Sequence, residues 1–279
     1  MLPDFASIIA ETKEEALSCL SSLERAKVIA GGTDLMVKMR SGERYDHIID
    51  ITNIRELDGI AVKDGVVVIG PVATHARLGS DAAIRENAPG LALACSLVGS
   101  PQIRNMGTIG GNIVNASPAA DSIPPMLIHD AMLTLESKGS SRKVRLEDII
   151  VAPYKTSINT RELLGPVEIT SLKGYREGYF RVAKRATWAI SRLSVAWAIS
   201  EEEGTFKDVK LAIGSCTPMP FRAVKVEGLL RGEKRQPGII AEAVRIALEE
   251  IKLISGIRPS FAYKLPVLRG ILENVLGGE

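Results

Sequence analysis

Two pairs of adjacent glycines, each set among small polar residues, do most to limit what this chain can fold into: Ala30-Gly31-Gly32-Thr33-Asp34-Leu35 and Thr108-Ile109-Gly110-Gly111-Asn112. The first pair follows Lys27-Val28-Ile29-Ala30, a short apolar run with β-branched residues that reads as a strand. A strand that stops on two glycines can turn successive backbone N–H groups toward an anion, because glycine tolerates positive φ and puts no side chain in the way. Thr33 adds a hydroxyl donor, and a helix beginning near Asp34 adds the positive end of its dipole. The plainer reading is a glycine turn in which Thr33 or Asp34 caps a helix. The second pair runs on into Ile113-Val114-Asn115-Ala116-Ser117-Pro118-Ala119-Ala120-Asp121, where Asn112, Asn115, Ser117 and Asp121 offer donors and acceptors with little bulk. This stretch reads as a loop that cradles a ligand, or as a structural loop capping a helix that starts at Pro118 with Ser117 as its cap.

Apolar spacing orders the rest. Ala16, Leu17, Leu20 and Leu23 predict a helix over 14–24. Short β-rich runs at 47–51 and 66–69 predict strands, and an Ala- and Leu-rich pattern over 79–97 predicts one helix. Short elements follow at 127–135 and 144–150, then a strand at 167–172. From about Gly174 the character changes: strands at Tyr179–Ala186 and Leu193–Ile199 precede a polar turn at 201–205 and a return strand at 209–213, a hairpin signal. Ile240, Ala243, Val244, Ala247, Leu248 and Ile251 form a helical stripe within 239–254, and 265–276 reads as a last helix. The expectation is an α+β chain with a boundary near 173–177.

Composition excludes several classes. The 35 basic and 33 acidic residues leave a formal charge of +2, too little basic excess for a general nucleic-acid binder. The three scattered cysteines, Cys19, Cys95 and Cys216, cannot make a disulfide framework, a four-cysteine zinc site or an all-cysteine iron–sulfur cluster, and they fit a reducing cytoplasm. His47, His75 and His129 are too dispersed to suggest a metal site. No Gly-x-Gly-x-x-Gly, P-loop or Gly-x-Ser-x-Gly pattern is present, and no apolar stretch is long enough to span a bilayer, so the expectation is a soluble cytoplasmic protein. Two glycine cradles without those fingerprints fit a dinucleotide held along an extended path.

The runs Ile103-Arg104-Asn105, Thr108-Ile109-Gly110-Gly111-Asn112 and Asn115-Ala116-Ser117-Pro118-Ala119-Ala120-Asp121-Ser122, together with Lys27 to Leu35, resemble the FAD-binding medium subunit of the molybdenum hydroxylases, the xanthine, nicotinate and carbon monoxide dehydrogenase type. The likeness continues, in order, through Tyr179 to Arg185, Ile190 to Ala196, Gly214 to Gly232 and Arg258 to Val267.

The resemblance implies a two-lobed FAD-binding fold of the vanillyl-alcohol-oxidase class over 1–173, with the lobes split near 55, and a small antiparallel sheet with a helix bundle over 174–279. It implies FAD held by Lys27, Val28, Ile29, Ala30, Gly31, Gly32, Thr33, Asp34 and Leu35 around the pyrophosphate, with Thr108, Gly111, Asn112, Asn115 and Asp121 completing the cradle. Leu164 falls where the family places an apolar contact, and Lys184 where it places a cation near the flavin ring. No residue of the chain is expected to do acid–base chemistry, since the flavin carries the redox step. The implied activity is electron transfer from [2Fe-2S] clusters of a small partner subunit, fed by a molybdopterin-binding large subunit, through FAD to an acceptor such as NAD. A stand-alone flavin-dependent oxidoreductase and a flavin-free assembly subunit are the rival readings.

Overall fold

The structure is a computed structural model that describes residues 2–185 and 190–278. Three sheets of three or more strands carry it, beside a two-stranded ladder of Ile150–Ala152 with Lys155–Thr156. The first is a three-stranded parallel sheet in which His47–Asp50 lies between Ala6–Ile9 and Ala26–Ile29. Parallel neighbours need crossovers. The helix Lys13–Ser22 makes one of them, and a segment containing the short helix Leu35–Arg40 makes the other. The first helix begins where the sequence predicts, because the Thr12 hydroxyl accepts the Glu15 N–H and the Glu15 carboxylate reaches back to the Glu11 N–H.

The second sheet is antiparallel and five-stranded, in the order Ile60–Lys63, Val66–Ile69, Leu163–Thr170, Met132–Ser137, Ser140–Arg145. Two hairpins flank the central Leu163–Thr170. Helices cover this sheet, and here the structure corrects two expectations. The single helix over 79–97 is three: His75–Ser80, Ala82–Asn87 and Pro89–Leu97. The Asp81 carboxylate takes the N–H groups of Ala83 and Ile84 and so starts a new helix, and Pro89 starts the next at its first turn. The stretch from Thr108 to Asp121 expected as a loop begins with a helix, Ile109–Asn115, capped by the Thr108 hydroxyl and preceded by a helix Pro101–Met106 capped by the Ser100 hydroxyl. Gly110 sits so close to Pro71 that a Cβ would lie 2.7 Å from the Pro71 carbonyl oxygen, so this glycine serves packing. No helix starts at Pro118. The Ser117 hydroxyl instead accepts the Ala119 N–H in a turn, and the next helix is Ile123–Ile128.

The third sheet is antiparallel, in the order Arg176–Ala183, Ser191–Glu202, Thr205–Gly214, Phe221–Arg222. Its long hairpin closes through Glu203-Gly204, both at positive φ (49° and 72°), the two-residue turn that matches strand twist. Ala186, the expected last residue of the first of these strands, lies outside the described residues. Alternate side chains of Ser191–Glu202 serve two cores. Ala196 and Ala198 pack toward the helices of the second sheet, and Leu193, Val195 and Ile199 pack toward Pro237–Ser255 and Phe261–Gly277. The α+β expectation holds. Among the described residues no helix is long and apolar enough to cross a membrane.

Candidate functional site

A cavity of about 920 Å³ opens between the parallel sheet and the five-stranded sheet. From the first side it is lined by Lys27, Val28 and Ala30, and from the second by Gly110, Gly111 and Val114; the segment from Tyr154 to Leu164 closes a further wall. Of the residues expected at the site, Lys27, Val28, Ala30, Gly111 and Leu164 line this cavity, whereas Ile29, Gly31, Gly32, Thr33, Asp34, Leu35, Thr108, Asn112 and Asn115 lie outside its lining. Leu164 also packs into the core and pairs with Leu135 across the sheet.

The first glycine pair forms a tight turn between the strand Ala26–Ile29 and the helix Leu35–Arg40. Gly32 has φ +67°. Gly31 lies so near the helix Pro101–Met106 that a Cβ there would stand 1.7 Å from the Met106 carbonyl oxygen. The N–H groups of Gly31, Gly32 and Thr33 donate no hydrogen bond among the described residues, so three donors are held at one turn. Ile29 ends the strand and Leu35 begins the next helix; Asp34 stands at its N-cap with no side-chain capping bond.

The second pair behaves differently. The N–H of Ile109 goes to the Ala73 carbonyl, that of Gly110 to Pro71, that of Gly111 to the Thr108 hydroxyl and that of Asn112 to the Thr108 carbonyl. Its backbone donors are therefore used up inside the fold and do not converge on an anion. Asn112 accepts from the Ser122 hydroxyl at 2.7 Å, and Asn115 accepts from Lys38 Nζ at 2.8 Å. Of this stretch Gly110, Gly111 and Val114 lie on the cavity wall.

Charge compensates for the missing donors. Lys27 and Lys38 stand close enough that Lys38 helps to depress Lys27: burial first, then the Lys38 ammonium, hold the Lys27 ammonium below the usual lysine range. Among the described residues neither forms a salt bridge. Lys27 lies over the Tyr45 ring and Lys38 over the Tyr154 ring, each at 5.8 Å from the centroid. Sequence reasoning missed Lys38, Tyr45 and Tyr154, because only the folded chain brings 45 and 154 to the glycine turn.

Asp121 and Lys184 do not line the cavity. Asp121 is buried and accepts hydrogen bonds from the Tyr179 hydroxyl at 2.6 Å, from Arg181 Nη1 at 2.9 Å and from the Ser191 hydroxyl. Burial raises its carboxyl above the ordinary aspartate value against the pull of those three donors. Lys184 is exposed on a bend, and the cation drawn inward from this strand is Arg181, whose side chain is 7% exposed. His75, beside Gly107, is also buried, with Nδ1 unpartnered; burial and then Arg104 push it down to about 4, so its imidazole is neutral.

These features suit a long dinucleotide: a cavity of ligand size, free N–H donors at a close-packed glycine turn, and two lysines of which only Lys27 feels a carboxylate, Glu43, without a salt bridge. Residues 3–170 match the FAD binding domain in molybdopterin dehydrogenase, and residues 178–277 match the CO dehydrogenase flavoprotein C-terminal domain. The chain is an FAD-binding flavoprotein. It is 33% identical to the glyceraldehyde dehydrogenase medium chain of Sulfolobus acidocaldarius, over 96% of this chain and 95% of that one. It is 31% identical to the xanthine dehydrogenase FAD-binding subunit of Escherichia coli O157:H7, over 98% and 95%. Among solved structures it superimposes on a chain of carbon monoxide dehydrogenase from Hydrogenophaga pseudoflava with a TM-score of 0.89 and 25% identity, covering 99% of this chain and 96% of that one. It belongs to the FAD-binding subunits of the molybdenum-hydroxylase-type multi-subunit oxidoreductases.

Proposed function

We propose that this chain is the flavin-bearing electron-transfer subunit of a xanthine-dehydrogenase-like assembly, taking electrons from [2Fe-2S] clusters on a small partner subunit and passing them to an acceptor such as NAD. In this reading the electrons originate at a molybdopterin centre on a large subunit. The observation that carries it is the cleft between the two sheets, lined by Lys27 and Lys38 and adjoining in the chain a glycine turn with free N–H groups, in a chain that matches FAD-binding subunits over nearly its whole length. Bound FAD supplies a carrier that takes electrons singly and releases them in pairs. The chain's own part is to hold it. Gly31, Gly32 and Thr33 present N–H donors, Gly111 and Val114 form a low wall, and Leu164 covers an apolar part. The proposed division is an FAD-binding unit over 1–173, with lobes split near 55, and a C-terminal unit over 174–279.

Purification from the native host tests this reading. The expected result is a yellow-brown complex in which this chain runs with an iron–sulfur subunit and a molybdenum subunit and reduces NAD on substrate addition. A chain that runs alone and turns over a substrate without an iron–sulfur partner would overturn it in favour of a stand-alone oxidoreductase. A chain that stays colourless after reconstitution with FAD would favour an assembly subunit.

A further inference from the structure

Part of the cavity wall belongs to none of the three large sheets. It is the two-stranded ladder of Ile150–Ala152 with Lys155–Thr156, joined by the turn Pro153-Tyr154. Tyr154, Lys155 and Thr156 line the cavity. Both ends of this hairpin are anchored. Ile149 and Ile150 are buried in the core at its start, and Ile158 packs against the same core after it. Further on, the Glu162 carboxylate takes Arg142 and the Asn159 N–H. The tip is held differently. Tyr154 stands at φ +59°, a left-handed conformation that a bulky side chain disfavours. Its N–H donates to the carbonyl of Ala116, just past the helix Ile109–Asn115, at 2.9 Å. Tyr154 is 60% exposed, and its ring centroid lies 5.8 Å from the Lys38 ammonium. Lys38 comes from the helix Leu35–Arg40, and Asn115 Oδ1 accepts from it at 2.8 Å.

One hydrogen bond and one exposed cation–π contact are modest holds. The left-handed backbone at Tyr154 is a strain of similar size, and it persists only while those holds do. Closed and open positions of the tip are therefore near in free energy, while the anchors at Ile150 and Ile158 keep the base in place. We propose that the hairpin over 150–156 is a strap on the cavity, latched by the Tyr154 ring against Lys38, that opens to pass FAD and closes behind it. The strap rests on the cavity being the FAD site, and it concerns how the flavin is exchanged, not where its electrons go.

Stopped-flow mixing of the full chain with FAD, followed by flavin fluorescence, tests the strap in wild type, Tyr154→Phe, Tyr154→Leu and Tyr154→Ala. A broken latch speeds entry and release together, because it weakens the closed strap with and without ligand. Tyr154→Leu and Tyr154→Ala should each raise both rates about fivefold, the loss of one cation–π contact, and move Kd by less than about twofold. Tyr154→Phe keeps the ring and should keep the wild-type rates. Trypsin cleavage after Lys155, read by mass spectrometry, should slow about fivefold when FAD saturates the wild type. Folding of each variant is checked by its thermal midpoint. Faster release with unchanged entry, so that Kd rises by the same factor, would make Tyr154 a plain contact and overturn the strap. Unchanged rates in both ring-less variants, or cleavage that FAD does not slow, would overturn it while leaving FAD binding intact. A wild type that takes up no FAD would overturn the cavity assignment as well.

Discussion

His129 Nε2 lies 3.1 Å from Glu177 Oε1, and both side chains are almost wholly buried where the helices of the second sheet meet the third sheet. The histidine's Nδ1 is 2.7 Å from the Thr170 carbonyl, an acceptor only, so that nitrogen carries a proton. The same Glu177 oxygen also accepts the Gly90 N–H at 2.8 Å. The pair thus ties three distant segments together, and a neighbouring glycine leaves it room: a Cβ on Gly90 would come 2.7 Å from that carboxylate oxygen.

Breaking the pair from one side strands a buried polar partner. His129→Leu and Glu177→Leu should each lower the free energy of unfolding by about 3–5 kcal/mol. The double variant should cost less than the sum of the two. Urea denaturation of the four proteins closes the cycle, and strict additivity would deny the coupling.

Gly31 and Gly111 should fail in different ways. At Gly31 a Cβ would enter the Met106 carbonyl, so Gly31→Ala should lower the thermal midpoint by several degrees. At Gly111 the nearest atom to a Cβ is the Thr108 hydroxyl oxygen at 3.0 Å, and the position faces the cavity. Gly111→Leu should therefore keep most of its thermal stability and lose FAD, read as the flavin-to-protein absorbance ratio after gel filtration.

Lys27 gives a pH signature. Its ammonium loses its proton more readily than an ordinary lysine, because burial first and then Lys38 lower its proton affinity while Glu43 raises it, and the Tyr45 ring lies beside it. Anion binding favours the protonated form. ADP affinity should accordingly be full while Lys27 is charged and should decline as pH rises through its depressed range, before ordinary lysines titrate. Calorimetric titrations between about pH 7 and 10 should show this decline in the wild type and a flatter profile in Lys27→Met.

The Tyr179 hydroxyl contributes one of three bonds to Asp121. Tyr179→Phe should cost about 1 kcal/mol, whereas Asp121→Ala removes the acceptor of all three and should cost about 3 kcal/mol. Guanidinium unfolding of both variants would show the order, and a larger loss in Tyr179→Phe would contradict it.

Much of the fold was legible where periodicity and burial agree. Val66–Ile69 is β-branched throughout, and the Ala243, Val244, Ala247, Leu248, Ile251 stripe faces a single core, so both emerge as predicted. Elements broken by a cap were less legible: Asp81 looks like one polar residue in a helix until its carboxylate is seen taking two N–H groups. The second glycine pair misled because glycines in a helix look the same in sequence as glycines in a loop, and only the contact with Pro71 shows why Gly110 is there. At the site, the first glycine turn could be read locally. Lys38 could not, since its setting depends on Tyr154 and Asn115. Nor could sequence alone choose Arg181 over Lys184 as the inward cation, because that choice depends on how the strand Arg176–Ala183 pairs with Ser191–Glu202 and where it stops.

The strand Ser191–Glu202 gives its small alanines to one core and its large aliphatics to the other, so one sheet is the party wall of both. Neither side can melt without baring the other. Calorimetry should then find one heat-absorption peak for the whole chain, not two. A ligand seated in the cleft should raise the temperature at which the distant helices Pro237–Ser255 and Phe261–Gly277 come apart, although it touches neither.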